Sequence, residues 1–220
     1  SVPSLKGNEW KYVKECIDTE WVSSAGKYVE LFEQKIADYT GSKYAIACIN
    51  GTSALQVSLC LAGVQPGDEV IVPTLTFIAP VNAVSYNGAK PVFLDADEYY
   101  NLDAEKTIEF IKHQTIFKDG FTLNKRTNQK ITAIIPVHVW GNAAWLDELI
   151  PLLNERNIAT VEDSTESLGT RYISGKFLGK HTGTISKMGC LSFNGNKIIT
   201  TGGGGIILTD NERLAENARY

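Results

Sequence analysis

Lys197 is the residue whose surroundings most directly suggest covalent chemistry. It ends the stretch SFNGNK (192–197), in which an apolar strand gives way to a loop of small polar residues. A lysine amine forms Schiff bases with carbonyl compounds. A solvated surface lysine is the alternative interpretation, and the stretch alone leaves both open.

Asp163 ends the apolar run IATVED (158–163), which is typical of a buried strand. A carboxylate in that position is either functional or part of a solvated strand end. If a pyridine ring lies nearby, an aspartate beside the ring nitrogen keeps that nitrogen protonated, so that the ring accepts electrons from a carbanion. Asp163 is therefore a candidate partner for a pyridine cofactor.

The segment NGTS (50–53) lies between a predicted strand and a predicted helix. Backbone N–H groups at a helix start, with the hydroxyls of Thr52 and Ser53 beside them, suit the binding of a phosphate. An ordinary capped helix explains the same residues. This motif alone does not decide between the two.

Four consecutive glycines at 202–205 suggest a nucleotide-binding loop, but their context is wrong for one. A dinucleotide loop requires a strand, then glycines, then a helix, whereas these glycines run into the predicted strand 206–209. The Walker pattern is absent as well. We expect close backbone packing or a special turn here.

The chain alternates short apolar runs with helix-like segments, which predicts βαβ units around a mainly parallel sheet. We therefore expect an α/β fold, a three-layer sandwich with a mostly parallel central sheet. In such sheets ligands collect at the carboxyl ends of the strands, here residues 50–53, 73–77, 138–141 and 162–166. The first 40 residues are predicted to be helical. The strands are predicted at 44–49, 69–73, 91–96, 131–137, 158–163, 190–193 and 205–209, and further helices at 52–63, 77–86, 104–112 and 144–155.

Three local predictions concern the segments between and after these elements. The polar stretch 113–130 lacks periodicity and is interpreted as an exposed insertion. The stretch 171–179 resembles a hairpin that turns at Ser174 and Gly175. The last ten residues have helical composition, with Asp210 as the N-cap.

The composition is that of an ordinary globular protein, with 43% hydrophobic and 21% charged residues and a formal net charge of -4. No cluster of Lys and Arg indicates nucleic-acid binding. No apolar run reaches the roughly 20 residues needed to span a membrane, and the first residues do not resemble a signal peptide. None of the four cysteines forms a C-x-x-C pair, so we expect no metal site and a reducing, cytoplasmic location.

Five segments in this order resemble the DegT/DnrJ/StrS family of nucleotide-sugar aminotransferases, which carry pyridoxal phosphate (PLP) on the fold-type-I architecture. The resemblance covers nearly the whole chain. The segments are GKYVELFEQKIADYTGSKYAIACINGTSAL, GVQPGDEVIVPTLTFIAPVNAVSYNGAKPVFLD, PVHVWGNAAWLDEL, VEDSTESLGT and LSFNGNKIITTGGGGIILTD.

The resemblance implies two catalytic residues: Lys197, which holds PLP covalently, and Asp163, which pairs with the pyridinium nitrogen. The remaining cofactor-binding residues that it implies are Gly51, Thr52, Ser53, Phe77, Glu166 and Ser192. Of these, the segment 51–53 and Ser192 bind the phosphate, and Phe77 stacks on the ring. Glu166 lies near the ring hydroxyl, where many members have Gln or His; Gly203 also departs from the family, replacing a glutamate.

The resemblance also implies the reaction and the partners. Family members transfer an amino group, with glutamate as the expected donor, to C4 of a nucleotide-linked 4-keto-6-deoxy sugar in bacterial surface-glycan biosynthesis. This chain is most similar to members acting on UDP-4-keto-6-deoxy-N-acetylhexosamines. Members form homodimers with shared active sites and carry a smaller C-terminal domain. We expect residues 1–40 to be a helical segment and 41–220 to be the PLP-binding large domain, without the small domain.

Three other functions are alternatives to this one. A PLP sugar dehydratase shares the scaffold, but such relatives carry His where this chain has Lys197. A non-catalytic PLP-binding regulator is a second alternative, against which the intact Lys197 and Asp163 argue. A nicotinamide-binding domain is a third, and the missing G-x-G-x-x-G disfavours it.

Overall fold

The computed structural model describes residues 3–220, and its centre is a seven-stranded sheet. The strands of this sheet are β1 (Tyr44–Cys48), β2 (Glu69–Pro73), β3 (Lys90–Leu94), β6 (Ile131–Ile134), β7 (Ala159–Asp163), β8 (Met188–Ser192) and β9 (Gly205–Thr209). Their spatial order is β1-β9-β8-β7-β6-β2-β3. The remaining strands, β4 (Thr115–Lys118) and β5 (Phe121–Asn124), form a separate hairpin.

The directions of the strands place the carboxyl ends of most of them at one edge of the sheet. Strands β3, β2, β6, β7 and β8 are parallel, whereas β9 is antiparallel to both of its neighbours, β8 and β1. Strand β1 therefore has the same direction as β8. Six strands end at this edge and β9 begins there, so the prediction of a mostly parallel sheet is confirmed.

Helices cover both faces of the sheet. They are α1 (Glu9–Asp18), α2 (Lys27–Thr40), α3 (Gly51–Leu61), α4 (Ile78–Tyr86), α5 (Ala104–Gln114), α6 (Leu149–Glu155) and α7 (Glu212–Arg219). Successive residues of β9 separate the two layers: Ile207 packs with α3, α4 and α7, whereas Ile206 and Leu208 pack with α2. Helices α5 and α6 pack on the face shared with α2, over the β2 and β6 end of the sheet. The three-layer α/β prediction is thus confirmed.

None of these helices, within residues 3–220, has the length and apolar character required to cross a membrane.

The segment 113–130 is largely exposed, as predicted, but it contains regular structure that was not predicted. The segment contains the β4–β5 hairpin, which turns at Asp119 and Gly120 with φ values of 52° and 81°. Such positive angles are typical of tight hairpin turns, for which Asp-Gly is a strong sequence signal. The hairpin is anchored where the Asn124 amide donates to the buried Glu69 carboxylate, 2.8 Å away.

Two further local predictions differ from the structure. The predicted helix 144–155 begins only at Leu149, since the Ala144 N–H donates to the His138 ring at 3.0 Å and the Ala144 carbonyl accepts from the Tyr172 hydroxyl. The predicted hairpin at 171–179 is a series of turns closed by one bridge between Arg171 and His181.

The N-cap of α7 is Asn211 rather than Asp210. The Asn211 side chain accepts a hydrogen bond from the Leu214 N–H at 3.0 Å. Asp210 instead accepts from the Lys43 N–H at 2.8 Å, which connects the end of β9 to the start of β1. A contact this distant in sequence gives no local signal.

Glu162 is a fully buried carboxylate near the centre of the sheet. Five donors surround it: the N–H groups of Gly183, Ile185 and Ser186, the Ser186 hydroxyl, and Nε2 of His138, at 2.8–3.0 Å. His138 Nδ1 accepts from a backbone N–H, so Nε2 carries the ring proton. Burial alone would raise the pKa of Glu162, but these donors outweigh it and hold the pKa below its ordinary value.

We expect Glu162→Gln to lower the free energy of unfolding by about 3–5 kcal/mol, because an amide turns its own N–H groups toward donors. The folded-state pKa of Glu162 is lowered, so its contribution is present above the unfolded-state pKa and is lost as pH falls through the folded-state pKa. Denaturant unfolding at pH 7 and at acidic pH measures both effects.

The control is Glu155→Gln on the exposed side of α6, for which a change within about 0.5 kcal/mol is expected. Equal losses in the two variants would contradict a special role for the buried carboxylate.

Candidate active site

The predicted site residues converge on the sheet edge where six strands end. Asp163 is the last residue of β7 and Ser192 the last of β8. Gly51 begins α3, directly after the two-residue loop 49–50 that follows β1, and Phe77 precedes α4, shortly after β2. Because β8 and β7 are adjacent in the sheet, residues distant in sequence are brought together by topology.

Lys197 lies in the loop between β8 and β9 and is mostly buried, with a side chain 16% exposed. Its Nζ is 3.2 Å from Glu166 Oε1. The other oxygen of that carboxylate accepts from the Trp140 backbone N–H at 3.3 Å. The loop is closed by the Thr201 N–H, which donates to the Phe193 carbonyl at 2.9 Å. The lysine is therefore positioned by a partner rather than extended into solvent.

Asp163 is buried, and the Thr165 N–H donates to its Oδ1 at 3.0 Å. Burial raises the pKa of Asp163, while the hydrogen bonding of Thr165 and the positive charge of Lys197 act in the opposite direction. The ammonium of Lys197 is thus close enough to influence this carboxyl. A buried acid whose pKa remains raised is incompletely compensated, and a cationic N–H donor would complete its surroundings.

The start of α3 is packed against the ends of the central strands. Asn50 caps the helix by accepting from the Ser53 N–H at 2.8 Å, which leaves the N–H groups of Gly51 and Thr52 without acceptors within residues 3–220. A Cβ at Gly51 would lie 2.9 Å from Ser192 Cβ and 3.0 Å from Thr165 Cγ2. The helix start, β8 and the loop after β7 therefore form one cradle.

The glycine run at 202–205 provides close packing, as predicted. A Cβ at Gly205 would lie 2.3 Å from the Asn50 carbonyl oxygen, and Gly202 has a φ of 84°. A residue with a side chain at position 205 would therefore displace the backbone. The loop that carries Lys197 is consequently held against the start of α3.

Phe77 is 73% exposed and stands at the edge immediately before α4. The preceding Thr76 has a buried hydroxyl without a hydrogen-bond partner in the described part of the chain. The ring of Phe77 is therefore accessible to a ligand, whereas the Thr76 hydroxyl beside it is not.

A cavity of about 780 Å³ lies elsewhere, at the opposite edge of the sheet. Its lining includes Thr132, Ala159 and Lys187, near the starts of β6, β7 and β8. It contains none of the predicted cofactor-binding residues. The candidate site at the carboxyl ends of the strands is therefore separate from this cavity.

Two residues at this edge were not among the predicted site residues, although one of them, Thr165, lies within the predicted strand end 162–166. Thr165 connects Asp163 to the cradle, and Tyr100 contacts Trp140 across two loops. No local motif indicates either contact, because each depends on how the loops meet in the fold.

Comparison with known proteins identifies the family. The model of the DegT/DnrJ/EryC1/StrS aminotransferase family matches residues 3–220. The chain belongs to this family. The prediction from the five sequence segments is therefore confirmed, including the expectation of an aminotransferase scaffold.

Three similar proteins illustrate the family. GDP-perosamine synthase of Caulobacter vibrioides is 43% identical, over 100% of this chain and 54% of its own length. An aminotransferase structure from Psychrobacter cryohalolentis has a TM-score of 0.84 and 32% identity, over 99% of this chain and 51% of its own. A GDP-4-keto-6-deoxymannose-3-dehydratase with a trapped PLP-glutamate geminal diamine has a TM-score of 0.82 and 27% identity, over 99% and 53%. The chain spans about half the length of the curated relatives it matches.

We expect Asp163→Asn to stabilise the cofactor-free protein by about 1–3 kcal/mol at neutral pH, because it removes an incompletely compensated buried charge. The folded-state pKa of Asp163 is raised, so the penalty exists above that pKa and vanishes as pH falls toward the ordinary value of 3.8. Thermal unfolding of the full-length protein across this range measures the difference.

The exposed Asp38→Asn serves as the control and should change stability little at any pH. A gain for Asp163→Asn that persists at low pH would show that its origin is not the buried charge.

Proposed function

We propose that this chain forms the PLP-binding part of an aminotransferase that transfers an amino group to C4 of a nucleotide-linked 4-keto-6-deoxy sugar. The observation that carries the proposal is that a mostly buried lysine, whose amine contacts Glu166, and a buried aspartate lie at the same strand edge. Family membership supports the same conclusion.

The residues at the edge fit PLP group by group. The free N–H groups of Gly51 and Thr52, with the hydroxyls of Thr52, Ser53 and Ser192, suit the phosphate. The raised pKa of Asp163, caused by burial, suits a carboxylate that gains a pyridinium N–H donor. The exposed ring of Phe77 suits stacking on a flat heterocycle.

When bound, PLP supplies an electron sink for the carbon that loses its proton. Lys197 would hold the cofactor, and its free Nζ would take the α-proton of the amino donor and later give a proton to the sugar carbon. Asp163 would keep the ring nitrogen protonated. Glu166 accepts a hydrogen bond from Nζ and so orients the free amine between these two tasks.

The substrates follow from the relatives rather than from the described residues. The Caulobacter relative is named for a GDP-linked sugar. The sequence motifs of this chain instead resemble members that use UDP-linked N-acetylhexosamines. Glutamate is the proposed donor, and one similar dehydratase was trapped with PLP and glutamate together. The keto sugar is therefore proposed as a class, with the nucleotide to be decided by experiment.

A homodimer with shared active sites is part of the same proposal. Several large apolar side chains near the candidate edge are exposed, namely Ile49, Phe77, Ile78, Ile198 and Ile199. Exposed apolar groups gathered at one region are typical of surfaces that bind another chain. A second copy would also close an edge that is open in the single chain.

The second candidate is a PLP sugar dehydratase, which the structural likeness to a 3-dehydratase favours. The relatives of that type carry His at the lysine position, and this chain has Lys197. The two reactions give different products, because a dehydratase removes oxygen from C3 whereas an aminotransferase leaves a new C4–N bond.

We expect Lys197→Ala, in the full-length protein loaded with PLP, to lose both the visible absorption of lysine-bound cofactor and transamination, by at least about 10³-fold in kcat. Lys197→Arg is the matched control, because it retains the positive charge beside Glu166 but cannot hold the cofactor covalently. This variant should lose the visible absorption and transamination to the same extent as Lys197→Ala. Normal turnover in either variant would end the proposal.

The product decides between the two reactions. The wild-type protein is incubated with PLP, glutamate and a panel of GDP-, UDP- and dTDP-linked 4-keto-6-deoxy sugars, and products are identified by mass spectrometry and NMR. We expect a 4-amino sugar and 2-oxoglutarate in equal amounts. A 3-deoxy product without a C4–N bond would identify the dehydratase instead.

A further inference from the structure

Two aromatic residues at the candidate edge have strained backbones and exposed side chains. Trp140 has a φ of 52° and Tyr100 a φ of 69°, angles that few residues other than glycine adopt. Trp140 is nevertheless 70% exposed and Tyr100 48% exposed. Their rings meet edge to face, with centroids 5.3 Å apart and an interplanar angle of 64°. We call this contact the aromatic pair.

The strain is maintained by hydrogen bonds on both sides of the aromatic pair. The buried Asn101 side chain accepts from the Val139 N–H at 3.1 Å, which joins the two loops. Asp97 Oδ1 accepts from the Asn101 N–H at 3.0 Å. The Thr170 hydroxyl donates to the Gly141 carbonyl at 2.9 Å. Strain that is over-determined in this way is characteristic of functional positions rather than of loops free to relax.

The backbone of Trp140 is connected to the amine of Lys197 through Glu166. The Trp140 N–H donates to one oxygen of Glu166, and Lys197 Nζ contacts the other oxygen at 3.2 Å. One carboxylate group thus separates the tryptophan backbone from the amine. In the proposed reaction Nζ gives a proton to the sugar carbon, so the sugar ring would lie next to this amine. The base of the nucleotide would lie farther away, beyond two phosphates and a ribose.

We propose that the aromatic pair is a carbohydrate subsite, in which Trp140, supported edge-on by Tyr100, stacks on the apolar C–H face of the 4-keto-6-deoxyhexose. This inference rests on the proposed function. A 6-deoxyhexose carries a methyl group in place of the hydroxymethyl group at C5, which adds apolar surface that a flat aromatic ring can cover. The strained loops orient this surface before the sugar arrives, which reduces the ordering cost of binding.

The test compares the two half-reactions of the full-length, PLP-loaded protein. We expect Trp140→Ala to raise KM for the keto sugar about tenfold, using the GDP- or UDP-linked sugar that the wild type aminates. The rate of the glutamate half-reaction, followed by the change in visible absorption, should stay within about twofold because no sugar takes part in it. Trp140→Phe should restore most of the affinity, since it retains a ring.

Trp145→Ala is the matched control, because Trp145 lies five residues later, is 44% exposed and contacts Glu148 rather than Glu166. It should leave KM for the sugar unchanged. Inhibition by GDP or UDP alone should also be unchanged in Trp140→Ala. Weaker inhibition by the free nucleotide, in proportion to the loss of sugar affinity, would place the ring on the base and overturn the proposal.

Two other results would overturn it. One is an unchanged KM for the sugar in Trp140→Ala while the wild type is active. The other is a fall in molecular mass to that of a single chain, which would make Trp140 an assembly contact. Absence of amination by the wild type with every sugar is a different outcome, since it refutes the proposed function itself.

Discussion

Burial of two adjacent carboxylates at the end of β7 is the constraint on which the rest of the structure depends. Glu162 and Asp163 are neighbours in a strand, so their side chains point to opposite faces of the sheet. The protein surrounds Glu162 with five donors from His138 and the segment 183–186. Asp163 receives much less, and its pKa stays raised by burial. One carboxylate is therefore fully hydrogen-bonded within the fold, and the other is incompletely compensated.

The order of the strands places other candidate site residues next to Asp163. Strand β8 lies beside β7, so Ser192 and the loop after it are next to the incompletely compensated acid. The antiparallel strand β9 lets the chain return from that loop through Gly205 to β1. Without this reversal, Lys197 would not be held at the same edge as the start of α3. The minority antiparallel strand is thus what closes the candidate site.

The sequence was informative where a physical signal is local. Continuous apolar runs predicted β2 and β9 with correct limits, because strands buried on both faces require them. The family segments located the candidate residues for the same reason, since each is a short contiguous motif. The limits of α6 and the cap of α7 were predicted incorrectly, because the bonds that decide them come from His138, Tyr172 and Lys43, distant in sequence. The β4–β5 hairpin was missed although Asp119-Gly120 is a recognised turn signal.

The close approach of Gly205 to the Asn50 carbonyl has a consequence for how ligand binding and loop order are related. The backbone that begins α3 and the backbone that follows the lysine loop share one contact surface, with no side chain between them to absorb movement. A ligand that immobilised the helix start would therefore also restrict the loop that follows the lysine. Such coupling would arise from the absence of a side chain at Gly205 rather than from a charged interaction.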